Sequence, residues 1–139
     1  TEAMEIARRV TQEREISRKS DGYDHRAREH AELLCQTKLD KTQVRGLEML
    51  AYTTDKVSDV SDWLKVRVGR DSTMEKWAKQ GIGREILTTL EGLHLDAAQI
   101  VKGLEEYPDL VRRVHLRLIR EYLKHLAAHF EYRRLEKER

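Results

Sequence analysis

Cations recur at helical intervals in three stretches of this chain, and the chemistry they offer is attachment to an anionic polymer. In the first stretch, Lys41, Arg45, Tyr52 and Lys56 fall at spacings that put three positive charges and an aromatic ring near one side of a helix. In the second, Lys65, Arg67 and Arg70 emerge around Gly69, a residue that permits a left-handed turn, so these side chains are expected at a tight corner. In the third, Arg113, Arg117, Arg120 and Lys124 form a seam along what reads as one long helix. A ribose-phosphate backbone suits such rows, because each cation that meets a phosphate releases condensed counterions. The competing reading is a solvated face whose charges keep the chain soluble or pair with neighbours such as Glu121.

Other reactive side chains lack the companions their chemistry needs. His125 and His129 sit four residues apart and can share a helix face, but Leu126-Ala127-Ala128 supplies neither the internal glutamate of a metallohydrolase nor a third ligand. Gly81-Ile82-Gly83-Arg84-Glu85 lacks the preceding strand and following Lys-Ser/Thr of a nucleotide loop, so its glycines are expected to bend a helix or let helices approach closely. There is no nucleophile motif, and His30, His94 and His115 have no evident partner in sequence. The expectation is a protein with no catalytic role, no cofactor and no metal.

The elements that must carry these residues read as helices throughout. Residues 1–20 alternate charge around Ala3, Ile6, Val10 and Ile16, a weak helix that holds only by docking on something, with Ser20-Asp21-Gly22 expected to break it. Ala27, Ala31, Leu34 and Cys35 then define a second helix from Tyr23 to about residue 36. Asp40 or Thr42 can cap a third helix running to about residue 58, with Val44, Leu47, Ala51, Thr54 and Val57 inward. Further helices are expected over 60–68, over 73–90 with Asp71-Ser72-Thr73 as its cap, and over 93–106 on Leu95, Ala98, Ile100, Val101 and Leu104. Pro108 opens the last helix, whose seam is Leu116, Ile119, Leu123, Leu126 and Phe130 and whose end beyond Glu131 is expected to fray. The fold class is therefore all-α, a single compact bundle of about five to seven helices, with residues 1–22 as a charged N-terminal helix and 23–139 as the bundle.

Composition narrows the partners. With 139 residues, 39% hydrophobic and 37% charged, the chain supports one domain with a thin core. A net charge of +2 creates little long-range attraction, so affinity for nucleic acid must come from placement of the cations. One cysteine, no apolar run of membrane-spanning length and no signal-peptide pattern fit a cytoplasmic protein with no membrane partner.

Leu39-Asp40-Lys41-Thr42-Gln43-Val44-Arg45, then Trp63-Leu64-Lys65-Val66-Arg67, then Gly69-Arg70-Asp71 followed by Met74, Lys76 and Trp77, resembles the small helical subunit of type III-A CRISPR effector (Csm) complexes. In that family a Ser/Thr-Gln-Ile-Arg signature opens a helix, a later helix carries an aromatic-Leu-Lys-Val-Arg run, and a Gly-Arg-Asp turn follows. Tyr122-Leu123-Lys124-His125-Leu126-Ala127-Ala128-His129-Phe130 is similar to the family's last helix, and the likeness spans roughly residues 28–135. The connection between the Lys-x-Arg run and Gly-Arg-Asp is shorter here than in the family.

The resemblance implies a non-catalytic RNA-binding subunit whose copies stack into the inner filament of an antiviral ribonucleoprotein and lie along the duplex of guide RNA and target RNA. Its protein partners would be the backbone repeat subunit, the large subunit and copies of itself. By motif position Arg45, Lys65, Arg67 and Arg70 would contact phosphate; Lys41, Tyr52, Lys56, Arg117, Arg120 and Lys124 are assigned to RNA from their own spacing. An alternative is a helical DNA-binding transcriptional regulator in which Lys41–Gly46 starts a recognition helix and Gln43 and Arg45 read base edges.

Overall fold

The first helix begins where the Thr1 hydroxyl accepts the Met4 N–H at 3.2 Å, satisfying one orphan donor. In the computed structural model, which describes residues 1–104 and 107–138, α1 then runs unbroken from Glu2 to Leu34. Ser20-Asp21-Gly22 does not interrupt it. A lone glycine costs a helix interior about 1 kcal/mol, and here buried contacts on both sides outweigh that: Ile16 and Ser20 before it, Ala27, His30, Ala31 and Leu34 after it. Ile16 is the first buried residue of the helix, and residues 1–11 are all exposed.

Asp40 caps α2 (Lys41–Thr53) in a reciprocal box, its carboxylate accepting the Gln43 N–H at 2.9 Å while the Gln43 side chain accepts the Asp40 N–H at 2.9 Å. Val44, Leu47 and Ala51 face inward as their spacing requires. The helix stops earlier than residue 58, because extended backbone at Thr54 and Lys56 makes a sharp turn into α3 (Val57–Arg70). Thr54 stabilises that turn by accepting the Lys56 N–H at 3.1 Å and donating to Asp59 at 2.6 Å.

The corner after α3 departs from expectation. Gly69 lies inside the helix and keeps a right-handed backbone; Asp71 takes the C-cap position instead. Asp71 caps no following helix directly. Its carboxylate accepts the N–H groups of Lys76 at 2.9 Å and Ala78 at 2.8 Å, which folds residues 71–78 into an irregular loop with Met74 at a positive φ of 54°. A 3₁₀ turn at Lys79–Gly81 leads into α4 (Ile82–Ile100), so the helices expected at 73–90 and 93–106 are replaced by one. Leu95 and Ala98 accordingly face solvent, and Leu93, Ala97 and Val101 take the inward positions; Glu105 and Glu106 lie outside the described residues. Gly81 adopts φ +72° at the start of α4. Gly83 answers to space, since a Cβ there would press into Val68 Cγ2 and the Trp77 carbonyl oxygen.

Helix α5 (Pro108–Glu138) is the axis of the bundle and packs against α1, α2, α3 and α4. Leu116, Ile119, Leu123, Leu126 and Phe130 are all buried, joined by Leu118 and Tyr122. It stays helical beyond Glu131, where Arg133 binds Glu32 at 2.7 Å and Lys137 donates to the Cys35 carbonyl at 3.2 Å. Among the described residues the chain is an all-α bundle of five helices with no strand, and no helix is long and apolar enough to cross a membrane.

Candidate nucleic-acid groove

The N-terminal part of α2, the C-terminal half of α3 and the 71–77 loop enclose an open groove of about 550 Å³. It is lined by three cations, Arg67, Arg70 and Lys76, by the hydroxyl residues Thr42, Ser72 and Thr73, and by Trp63 and Trp77. Each part has a local cause. Because Asp40 caps α2, the Thr42 side chain is left to face the groove, and a Cβ added at Gly46 would just touch the Trp63 ring, so α2 packs closely on it. Trp77 is buried and meets Trp63 edge to face at 5.8 Å, which anchors the loop on α3.

The electrostatics of the groove are lopsided. Asp71 is its one carboxylate, and both N–H bonds from Lys76 and Ala78 fall on a single oxygen. Burial pushes the Asp71 carboxyl up, but the N–H groups of Ala78, Lys76 and Glu75 and the Thr73 hydroxyl outweigh it and hold the group below the usual carboxylate range. Arg67 lies over the Trp63 ring, 3.6 Å from its centroid, and donates to the Trp63 carbonyl at 3.3 Å. Among the described residues the side chains of Arg70 and Lys76 have no hydrogen-bond or ion-pair partner.

The other sequence-assigned cations go elsewhere. Arg45 lies outside the groove and binds Glu131 at 2.5 and 3.3 Å, a hydrogen bond that lowers the Glu131 carboxyl pKa. Lys65 reaches Glu91 at 3.9 Å, and Lys124 pairs with Glu121 at 3.2 Å. Arg117 is held bidentately by Glu13 at 2.7 and 2.9 Å, whose carboxyl is lowered chiefly by that bond. Arg120 turns inward, donating to the carbonyls of Ala51 at 2.6 Å and Thr54 at 3.0 Å, and so caps the C-terminal end of α2. The inward turn follows from the carbonyls left free where α2 ends. Its guanidinium also lies 6.0 Å from the half-exposed Tyr52 ring. Lys41 borders a second cleft with Glu131, Tyr132 and Leu135, while Lys56 is exposed at the start of α3. The ten residues therefore do not form one rail; Arg67 and Arg70 share the groove, and Lys76 completes it. Lys76 was part of the motif string without an assigned role, because only the Asp71 turn brings it beside α3.

The same geometry bears on a DNA-reading α2. The Gln43 side-chain oxygen is used in the capping box, Arg45 is tied to Glu131, and the short turn adjoining α2 follows it rather than preceding it.

The histidines find partners far away in sequence. His129 Nε2 is 2.8 Å and His125 Nδ1 3.4 Å from the same Asp24 oxygen, and His125 Nε2 is 3.0 Å from Ser20 Oγ. The order serine, histidine, aspartate is that of a hydrolase relay, but Ser20 is only 4% exposed within α1, so the set ties α1 to α5. The bond from His129 is the main reason the Asp24 carboxyl is held low. His30 Nδ1 lies 2.5 Å from the Tyr122 hydroxyl, and buried His115 donates to the Leu90 carbonyl at 2.8 Å; burial pushes both imidazoles down toward the neutral form. No group of three or more His, Cys, Asp or Glu residues among those described is arranged to hold a metal ion.

The class defined by fold and site is thus an all-α bundle with a basic, aromatic-backed groove at one interhelical corner. No family model matches the chain, and no significant match to it was found among curated proteins or solved structures. The likeness to the CRISPR small subunit rests on the residue strings themselves.

Proposed function

We propose that the chain is a non-catalytic RNA-binding subunit of a type III CRISPR effector, gripping the sugar-phosphate backbone through the α2–α3 groove. One observation carries the reading: Arg67, Arg70 and Lys76 line the same cleft, and none of them has an anionic partner among the described residues. Cations placed this way contact phosphate and carry no base identity, which suits a subunit that must accept any guide or target sequence. In this reading the large and backbone repeat subunits supply the chemistry, and further copies of the chain extend the grip.

The test is salt-dependent binding of unrelated RNAs by Arg70→Ala together with Lys76→Ala. Both side chains are exposed, so helical content by circular dichroism should be unchanged. The log–log slope of affinity against salt should flatten by about 0.7 per lost contact, equally for every sequence. Binding with an unchanged slope removes the groove from the RNA path; loss confined to one sequence points to base reading instead.

A further inference from the structure

We infer that the groove selects unpaired RNA, stacking one base on the outer face of the Arg67 guanidinium while Arg70 and Lys76 hold the adjoining phosphates. The inference rests on the RNA-binding reading above and specifies which form of the polymer enters. Arg67 is unlike the other groove cations. Its guanidinium is fixed from beneath by the Trp63 ring at 3.6 Å and from the side by the Trp63 carbonyl, while the residue itself stays exposed. A planar cation held over an indole is a platform rather than a roaming charge, and nucleic-acid bases stack on such planes when not already stacked on each other.

The surroundings favour a single nucleotide. A cleft of about 550 Å³ is the size of a small-ligand site and cannot receive a paired helix, whose bases face inward and whose accessible surface is phosphate and ribose. Arg70 follows Arg67 by three residues on α3, so the two project from the same helix face, and Lys76 adds a third cation to the lining from the loop. Thr42, Ser72 and Thr73 add hydroxyls, which can hydrogen-bond a ribose 2′-OH or a phosphate oxygen without discriminating bases. The loop wall is itself fixed, by Asp71 to its amides and by Trp77 to Trp63, so the platform is preformed.

The experiment compares three probes on the full chain: a ten-nucleotide oligoadenylate, an abasic ribose-phosphate strand of equal length, and an RNA duplex. Oligoadenylate should bind about tenfold more tightly than the abasic strand, the scale of one base stacked on a side-chain platform. Arg67→Lys keeps the charge and loses the plane; it should erase that tenfold gap between oligoadenylate and the abasic strand. If oligoadenylate, abasic strand and duplex bind the intact chain alike, or if Arg67→Lys preserves the gap, stacking is wrong although phosphate binding stands. If none of the three binds, the RNA-binding reading falls with it.

Discussion

The α3 corner and the α5 row look alike as strings, each a run of cations within a few residues of one another, yet beyond Lys65, which reaches Glu91, the folded chain treats them differently. On α5, Arg117 is held by Glu13, Arg120 by the carbonyls that end α2, and Lys124 by Glu121. At the α3 corner Arg67 is braced on an aromatic ring, and Arg70 and the loop's Lys76 face an open cleft without a carboxylate partner. The difference is topological. Helix α5 runs through the middle of the bundle, so Arg117 meets Glu13 of α1 and Arg120 the carbonyls that end α2, while Lys124 pairs along α5 itself. The corner is an end, and the one acid there, Asp71, is engaged by backbone amides. A cation row stays free to meet an anion from outside only where the fold brings none to it.

The largest effect should come from disturbing what holds the corner together. Gly83→Ala forces a Cβ against Val68 and the Trp77 carbonyl, a backbone atom that cannot simply rotate away. Overpacking of that kind costs about 1–3 kcal/mol, visible as a lower denaturation midpoint. It should also weaken RNA binding although no charge changes, because the Trp77 loop carries Lys76. If stability falls but RNA affinity does not, the loop is not a wall of the binding site.

A smaller loss is expected from Arg120→Met, which keeps much of the packing length and removes two hydrogen bonds to carbonyls at the end of α2. Hydrogen bonds from a charged group are worth about 1.5–3 kcal/mol, so urea denaturation should show destabilisation of about 2 kcal/mol. The salt slope of RNA binding should not move. An unchanged midpoint with a flatter slope would invert the assignment and put Arg120 on the RNA.

How much of this was legible beforehand follows from the range of each interaction. Inward positions such as Val44, Leu47 and Ala51, or Leu116 through Phe130, are set by local periodicity and come directly from the string. The Asp40 cap is likewise local. Helix ends were legible only in part: Gly22 signals a break that packing on both sides of it overrides, whereas α3 does end next to Gly69, at Arg70, with Asp71 rather than the glycine as its cap. The site was half visible for the same reason. Arg67 and Arg70 belong to one helix and stand out together, whereas pairing of Arg45 with Glu131 or Arg117 with Glu13 spans most of the chain. Sequence spacing shows which cations share a face and says nothing of the acid that another helix will bring to it.

The smallest effect tests the comparison most directly. The Arg117–Glu13 pair is bidentate but well exposed, with side chains 40% and 57% accessible, and such pairs contribute about 0.2–1 kcal/mol. Arg117→Met should therefore shift the denaturation midpoint barely beyond error and leave the RNA salt slope alone, since a cation already neutralised releases little from a phosphate. Glu13→Gln is the sharper variant, because it frees the guanidinium without removing it. Arg117 borders a different cleft, with Gln12, Ile16 and Asp55, so the freed charge should leave the slope unchanged. A slope steeper by about 0.7 would mean that RNA also follows α5. The two rows would then differ in how firmly their cations are held within the fold rather than in what they contact.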